Sequence, residues 1–297
     1  MTLSFRQVKL DELSLDNRVL YARLVDSKTY DLFDEKDKSI LSLVAFKGNE
    51  PIGLISCFAY KNAREALLSN FFVHPKDRSQ GIGTQLMRKF LDTLKDYGIR
   101  LFYFNYPSST PYLERILKNT GWEKPELLMR RYFLDQYSFH PDWFFSPYPL
   151  LSDEFTVFPW SEVTEEELKL AKRWEETNVQ FSLYSINDTP HPVDSLTSLG
   201  LRKNGKLAGW LINHRLEPKL LRYSAFYLIP EIRGKGPSIY LLKESIRLHF
   251  KNEIDLIGMM EINFKFSQSS WIHFVQKRLA PWAYKTEDVN YAYFLFD

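Results

Sequence analysis

The sequence predicts a mixed α/β protein in which one fold occurs twice in tandem, each copy a mostly antiparallel mixed sheet flanked by helices. Both halves show the same order of patterns: an early strand, a helix, a two-stranded hairpin, a further strand, a glycine-containing loop and a helix. Corresponding residues also recur at a nearly constant spacing, which indicates an internal duplication. The matched pairs are Pro75 with Pro230 and Arg78 with Arg233, each 155 positions apart, and Trp122 with Trp282, 160 apart.

Composition narrows the functional classes. A length of 297 residues favours two domains, and 44% hydrophobic with 26% charged residues provides for packed cores. A formal net charge of only +2 provides no strong overall attraction for nucleic acid, so we expect no nucleic-acid partner. No apolar run of about 18 residues and no basic-then-apolar N-terminus occur, so we expect a cytoplasmic protein without membrane spans. The single cysteine, Cys57, lies in an apolar run and is interpreted as a buried thiol rather than a nucleophile.

In the first half, hydrophobic periodicity defines the elements in chain order. Gly48 to Pro51 provide the turn of the hairpin, and Gly98 is suited to end the long helix. The predicted elements are a strand at 5–10, a helix at 13–30, a hairpin over 41–60, a strand at 66–73, a helix after the loop at 73–86, a strand at 99–106, a short helix at 111–120 and a closing strand at 127–134.

Residues 139–153 carry three prolines and break both periodicities, so they are predicted to connect two domains, 1–138 and 154–297. After the connector we predict a strand near Phe155, a helix at 165–178, a hairpin turning at Asn204 and Gly205, and a strand at 220–229. A loop and a helix follow, as in the first half. Trp143, Phe144, Phe145 and Tyr148 of the connector either line an acceptor groove or pack the two copies together.

The loop VHPKDRSQGIGTQL, residues 73–86, passes from a strand into a helix. A helix N-terminus offers unpaired N–H groups and a partial positive charge, which together favour an anion. Gly81 and Gly83 lack the β-carbons that would hinder a pyrophosphate, and Arg78 can add charge at the rim. The alternative is a tight turn without a ligand. A dinucleotide fingerprint is excluded because Leu86 stands where its third glycine is required.

The run from Arg78 to Gly83 resembles the acyl-CoA signature (Arg or Gln, two residues, Gly, one residue, Gly or Ala) of the GNAT superfamily of N-acyltransferases. The resemblance covers residues 1 to about 137 and, more weakly, 152–297. It implies acetyl-CoA or another acyl-CoA as co-substrate, with the pyrophosphate on the loop amides and the pantetheine arm along the preceding strand end. The residues implied for this role are Phe71, Phe72, Val73, Arg78, Ser79, Gln80, Gly81, Ile82, Gly83, Thr84 and Asn105.

The second copy departs from the signature. Arg233 and the first required glycine, Gly236, are retained, but Pro237 removes an amide donor and Ser238 stands at the final glycine or alanine position. Proline is tolerated in a first helical turn, so we expect the helix to form while the anion site is weakened. The first copy is therefore expected to carry the activity, and the second to be degenerate.

Acyl transfer from a thioester requires a neutral amine, polarisation of the carbonyl and a proton for the thiolate, without a covalent enzyme intermediate. The resemblance implies a tyrosine four residues before the pair Gly121-Trp122, where Leu117 stands, and a carboxylate near Asn70 that is missing. The remaining catalytic candidates are Tyr106, Tyr112 and Asn70. An N–H near Val73 is the expected oxyanion donor. His74 is interpreted as a turn residue, whereas His140 and His191 lie in loops where a functional role stays open. No cluster has metal-ligand spacing, so no metal is predicted.

The main functional hypothesis is transfer of an acetyl group from acetyl-CoA to an amine of a small molecule or peptide. The alternatives are a non-catalytic acyl-CoA-binding or interaction module and a transferase that uses aminoacyl-tRNA, which the near-neutral charge disfavours. The segment 181–194 is expected to face the acceptor. Either a homodimer or a monomer whose two copies form an internal pseudo-dimer is compatible with the duplication.

Overall fold

The computed structural model describes residues 2–9, 21, 23–25, 39–148, 151–177, 186, 191–252 and 255–296. The strands are β1 Leu3–Gln7, β2 Ser39–Lys47, β3 Glu50–Tyr60, β4 Glu65–Val73, β5 Leu101–Pro107, β6 Glu126–Leu134, β7 Phe155–Pro159, β8 Leu199–Lys203, β9 Lys206–Glu217, β10 Leu220–Leu228, β11 Ile257–Asn263 and β12 Lys285–Leu295. The helices are α1 Ile82–Asp96, α2 Pro111–Asn119, α3 Asp142–Phe145, α4 Glu165–Thr177, α5 Gly236–Asn252 and α6 Ser269–Arg278.

The chain forms two compact units, each a six-stranded sheet with helices. The first unit comprises Met1–Leu127 and Val289–Asp297, and the second comprises Leu128–Asp288. The strand orders are β1-β2-β3-β4-β5-β12 and β6-β11-β10-β9-β8-β7. One neighbouring pair in each unit is parallel, β4 with β5 and β10 with β11. The predicted fold class, two mixed and mostly antiparallel sheets, is confirmed.

Each unit is closed by the last strand of the other half of the sequence. β12 pairs antiparallel with β5 from Val289↔Pro107 to Leu295↔Leu101. β6 pairs antiparallel with β11 from Gly258↔Leu134 to Asn263↔Met129. The strand predicted at 127–134 therefore exists, but it completes the second unit rather than the first. The compact units and the sequence repeat thus divide the chain at different places.

The duplication extends to irregularities in the sheets. In β4 the register against β3 shifts at Ser69, and in β10 the register against β9 shifts at Ser224, 155 positions later. Parallel pairing covers three residues in both cases, Glu65 to Leu67 with β5 and Leu220 to Arg222 with β11. A bulge bends its strand and increases the local twist, so each bulge turns its strand away from the parallel neighbour.

The helices of the first unit end as their glycines predict. Gly98 has a φ of 82°, and the N–H of Ile99 donates to the carbonyl of Leu94, which closes α1 with a Schellman motif. Gly121 repeats the motif after α2, since the N–H of Trp122 donates to the carbonyl of Leu117. The Trp122 ring then packs against the rings of three phenylalanines. These are Phe102, Phe104 and Phe294, with ring centroids 5.2, 5.3 and 5.9 Å away.

The aromatic side chains of the connector pack on helices of the second unit. The Trp143 indole donates to the carbonyl of Arg278 at 3.0 Å, and Phe144 contacts the Phe250 ring at 6.2 Å. The Tyr148 hydroxyl donates to the Glu244 carboxylate at 2.9 Å. These contacts tie the connector to α5 and the end of α6.

Two predicted segments lie largely outside the described residues, the helix at 13–30 and the acceptor-facing stretch 181–194. The hairpin turn at Asn204 and Gly205 is confirmed, with φ values of 49° and 74° as a type I′ turn requires. Within the described part of the chain, no helix is long and apolar enough to cross a membrane.

Candidate acyl-CoA site

The candidate site lies where β4 and β5 separate. Their registered parallel pairing ends at Leu67 and Tyr103, so β4 from Leu68 to Val73 runs on without pairing to β5. The other edge of β4 remains paired with β3 up to Val73. An edge of β4 that is not paired with β5 is therefore presented beside the loop that leads into α1.

The loop from His74 to Gly81 is held in a defined shape. Residues Pro75–Asp77 form a 3₁₀ turn, and the Lys47 ammonium donates to the Asp77 carboxylate at 3.0 Å. Ser79 and Gly81 both have left-handed backbones, with φ values of 63° and 76°. Such a conformation is uncommon for serine, and it turns successive peptide groups toward one side, as in anion-binding nests.

The N–H groups at the start of α1 are available to a ligand. Among the hydrogen bonds of the described residues, none uses the backbone N–H groups of residues 79–84 as donors, and no side chain caps the helix. The first internal bond is donated by the Gln85 N–H to the Gly81 carbonyl at 3.0 Å. The fit to two linked phosphates is therefore good, because the donors, the helix dipole and the exposed Gly81 coincide.

The two glycines of the signature have different roles. A β-carbon on Gly81 would meet only the Gln85 side chain, at 4.0 Å, so this position is open toward solvent. A β-carbon on Gly83 would lie 3.0 Å from the Ile116 side chain and 3.5 Å from the Phe71 ring. Gly81 thus leaves open space beside the loop, and Gly83 allows close packing between α1, α2 and β4.

Arg78 braces the loop. Its Nε donates to the carbonyl of Val73 at 2.8 Å, and its guanidinium lies 5.4 Å from the centroid of the Phe72 ring. The Gln80 side chain donates to the carbonyl of Lys76 at 3.4 Å. The arginine thus joins the strand end to the loop and still places its positive charge at the rim.

The predicted catalytic residues occupy different environments. Tyr106 lies on the part of β5 that extends beyond the pairing with β4, where it is in register with Asn290 of β12. Its residue surface is 4% exposed, and among the described residues its hydroxyl has no hydrogen-bond partner of good geometry. Burial raises the pKa of Tyr106, Glu114 adds to the rise, and the adjacent Asn290 opposes it. The phenol therefore remains protonated at neutral pH. Tyr112, in the first turn of α2, is 66% exposed.

Asn70 and Asn105 also lie in different environments. The Asn70 side chain is buried and donates to the carbonyls of Leu24 and Leu54, both at 3.2 Å, so its two donors are used to hold neighbouring backbone. Asn105 is exposed on β5 and pairs in register with Tyr291. Leu117, at the position where the resemblance implies a tyrosine, is 1% exposed and belongs to the core.

The thiol and histidine candidates have structural surroundings. Cys57 is fully buried, which confirms the interpretation of a core thiol, and burial raises its pKa to about 12. His74 lies 3.8 Å from the Asp77 carboxylate. His140 bonds the carbonyl of Tyr137 at 2.8 Å through Nε2.

The corresponding loop of the second unit has the same arginine–carbonyl hydrogen bond but fewer backbone N–H groups without an internal acceptor. The Arg233 Nε donates to the carbonyl of Leu228 at 2.7 Å, as Arg78 does to Val73. However, the N–H groups of Lys235 and Ser238 donate within the loop, at 3.4 and 3.0 Å, and Pro237 has none. The expected loss of phosphate-binding donors is thus visible in this loop.

Several buried polar groups of the second unit were not anticipated from the sequence. Tyr223 and His249 share a hydrogen bond of 3.0 Å, and the His249 Nε2 bonds the carbonyl of Leu256. Arg131 donates to Glu261 at 2.7 Å, and the Glu261 side chain is only 2% exposed. A lone glutamate in the run IGMMEIN is the only sequence signal for the latter pair, and its partner is 130 positions away.

Comparisons with known proteins agree with this geometry. Residues 10–115 match the family model of the "Acetyltransferase (GNAT) family". No curated protein matches the chain. A tandem GNAT protein from the clavulanic acid biosynthesis pathway has a TM-score of 0.68 at 13% identity, over 99% of this chain and 98% of its own. A GCN5-related N-acetyltransferase from Sphaerobacter thermophilus has a TM-score of 0.53 at 13% identity, over 97% and 95% of the two chains.

A GCN5-related glucosamine N-acetyltransferase region of a fungal multi-domain β-N-acetylglucosaminidase has a TM-score of 0.60 at 13% identity, and covers 99% of this chain but 38% of its own. These structures show the fold, and the family match lies on the half that carries the open amide row. Residues 10–115 thus match the GNAT acetyltransferase family, and the whole length of the chain has the fold of a tandem GNAT protein.

Proposed function

We propose that the protein is an N-acyltransferase whose first unit binds acetyl-CoA and transfers the acetyl group directly to an amine. The observation that carries the proposal is the row of uncommitted N–H groups at residues 79–84, placed at the N-terminus of α1 beside the unpaired edge of β4. The family match on residues 10–115 supports the same assignment.

Each part of the site has a defined role in this proposal. The amides of Gln80 to Thr84 hold the pyrophosphate, and the edge of β4 from Phe71 to Val73 accepts the amide-containing arm of the co-substrate. Acetyl-CoA supplies the activated thioester acyl group. An N–H near Val73 stabilises the developing oxyanion, because a fixed backbone donor needs little reorganisation during the reaction.

Proton transfer is assigned to two groups. Tyr106 is the proposed proton donor to the departing thiolate, since its raised pKa keeps the phenol protonated and its hydroxyl has no hydrogen bond of good geometry among the described residues. Water removes the proton of the amine, because the Asn70 carboxamide is not a base at neutral pH and its amide group holds neighbouring backbone. Tyr112 remains a candidate acid at the exposed start of α2.

The wider setting is part of the proposal. A single buried cysteine and a charge near neutral suit a cytoplasmic enzyme that acts on a small-molecule or peptide amine. The exchanged strands β6 and β12 make the two repeats one folding entity, which favours a monomer containing an internal pseudo-dimer.

The decisive experiment compares two glycine variants in calorimetric titrations with acetyl-CoA. Gly81→Glu places a carboxylate at the amide row, whereas Gly48→Glu places the same group on a hairpin turn. Both positions are exposed, have φ values of 76° and 64° and offer a β-carbon no close contact, so the backbone cost is about 1–2 kcal/mol in both. We expect Gly81→Glu to weaken binding by more than about tenfold through charge repulsion, and Gly48→Glu to bind as the parent does. Equal binding by all three proteins would refute the proposed site.

A second candidate function is a binding module without turnover. It is favoured by Leu117, an apolar and buried residue at the position where the resemblance implies a tyrosine. Thiol release from acetyl-CoA in the presence of an amine library separates the two functions. Sustained release supports the transferase, and tight binding without release supports the module.

A further inference from the structure

The second unit contains a cavity of about 370 Å³ between α5, α6 and the separated ends of β10 and β11. It occupies the place in this unit that the proposed acyl-CoA site occupies in the first. Six of its lining residues are aromatic, namely Tyr223, Phe226, Tyr227, Phe266, Trp271 and Phe274. A cavity of this size and composition lies within the range that binds small molecules.

The walls are arranged to receive a ring. Trp271 and Phe274 stack with an interplanar angle of 14° and a centroid separation of 5.7 Å. Phe226 meets Trp271 at 62° and 5.8 Å, so both ring faces and ring edges are present in one wall. Aromatic side chains prefer offset-stacked and edge-to-face neighbours, and this wall offers both geometries to an incoming ring.

Each charged side chain of the lining already has partners within the unit. Glu261 at the cavity forms an ion pair with Arg131 at 2.7 Å, and Arg131 also contacts Glu287 at 3.0 Å. Arg233 bonds the carbonyl of Leu228, and its guanidinium lies 5.3 Å from the centroid of the Tyr227 ring. Since burial of an unpaired charge is costly, an uncharged ligand group is favoured here.

One polar atom of the lining still lacks a partner. The hydroxyl oxygen of Ser238 is buried, and within the described residues it makes no hydrogen bond. Buried hydroxyl groups normally have a partner, so a hydroxyl or amide on the ligand would satisfy it. The phosphate anchor of the first unit is absent, because two loop amides donate internally and Pro237 has none.

We propose that this cavity binds an uncharged aryl compound with one hydrogen-bonding group, and not a CoA ester. The two units have then diverged: the first keeps the amide row, and the second keeps an aromatic cavity without it. The proposal does not depend on the transferase activity proposed for the first unit.

The test uses the full-length protein and four probes that differ by one property each. 2-Phenylethanol is the uncharged aryl probe, hexan-1-ol replaces the ring with an alkyl chain, and 2-phenylethylamine and phenylacetate add a positive or a negative charge. Ligand-observed NMR titrations give the four dissociation constants. We expect 2-phenylethanol to bind at least about tenfold more tightly than either charged analogue, because a buried charge loses its hydration.

Variants assign the binding to the cavity. Ser238→Phe fills it and should weaken 2-phenylethanol binding by at least about tenfold, while Trp271→Leu removes the stacked wall and provides a second variant should the first not fold. Phe145→Ala, which removes a ring that is 64% exposed on the connector of the same unit, should bind the probe as the parent does.

Four results would overturn the proposal: no binding of 2-phenylethanol, tighter binding of hexan-1-ol or a charged analogue, binding unaffected by both cavity variants, or displacement of the probe by acetyl-CoA. Failure of the first-unit site is recognised separately. In that case Gly81→Glu leaves acetyl-CoA binding unchanged, whatever the result with the aryl probe.

Discussion

The exchange of β6 and β12 predicts that residues 1–138, the first repeat of the sequence, do not form a stable fold alone. In the intact chain β12 covers the edge of β5 over seven registered pairs, Val289↔Pro107 to Leu295↔Leu101. Val289 and Ala292 are 3% and 0% exposed, and Phe294 contacts the Trp122 ring. A truncated first repeat lacks all of these side chains.

The expected loss is large compared with the stability of a domain. Full burial of a valine or phenylalanine side chain contributes about 1.5–3 kcal/mol, so the loss of Val289 alone removes about that amount. Loss of the partly buried Phe294 adds a fraction of the same amount. Typical domains have a total stability of about 5–15 kcal/mol. The exposed edge of β5 adds a site for aggregation.

Urea unfolding followed by near-ultraviolet circular dichroism tests this expectation. Residues 1–138 should show no cooperative transition, and a peptide of residues 285–297 added in trans should restore one. The same peptide with Phe294→Ala should restore it less well, which tests the contact with Trp122. A cooperative transition of the isolated repeat at the urea concentration that unfolds the first unit in the intact protein would refute the reasoning.

Three further predictions concern single residues. Tyr106→Phe should lower kcat by about 100-fold if the phenol is the acid, while acetyl-CoA binding persists. The free energy of unfolding should not fall, because the buried hydroxyl that is removed makes no hydrogen bond of good geometry among the described residues. Gly209→Ala should destabilise the fold by about 3 kcal/mol or more in denaturant titrations, since the added β-carbon would lie 2.5 Å from a backbone oxygen. Gly53→Ala is the matched control: its β-carbon would lie 3.2 Å from a backbone oxygen, and the variant should cost only about 1 kcal/mol. The hydrogen bonds from Arg202 lower the pKa of Glu167 below its ordinary 4.5. The ion pair therefore stabilises the fold fully above pH 4.5, and this stabilisation is lost as the pH falls through the lowered pKa. Glu167→Gln should therefore cost about 1–2 kcal/mol at pH 7, and the difference should disappear near pH 2 in paired urea titrations; an equal difference at both pH values would contradict this assignment.

Local sequence patterns were sufficient to predict most of the secondary structure and to detect the duplication. Alternation and helical spacing depend only on neighbouring residues, so β2, β3, α1 and α2 are found close to their predicted positions. The glycines at 98 and 121 end their helices because only a residue that tolerates a left-handed backbone suits that position. The signature around Gly81 likewise depends on local chain direction and the absence of side-chain bulk.

Only the tertiary structure decided which strand completes which unit, because a strand edge accepts any partner of suitable register and the sequence carries no local record of that choice. The same holds for Gly83, whose small size serves a contact with Ile116 across two helices, and for the ion pair of Arg131 with Glu261. The aromatic cavity is another long-range product, since Phe226 and Trp271 meet across 45 positions of sequence. Periodicity reports on which face of an element is buried, whereas the identity of the neighbour is set by packing over the whole chain.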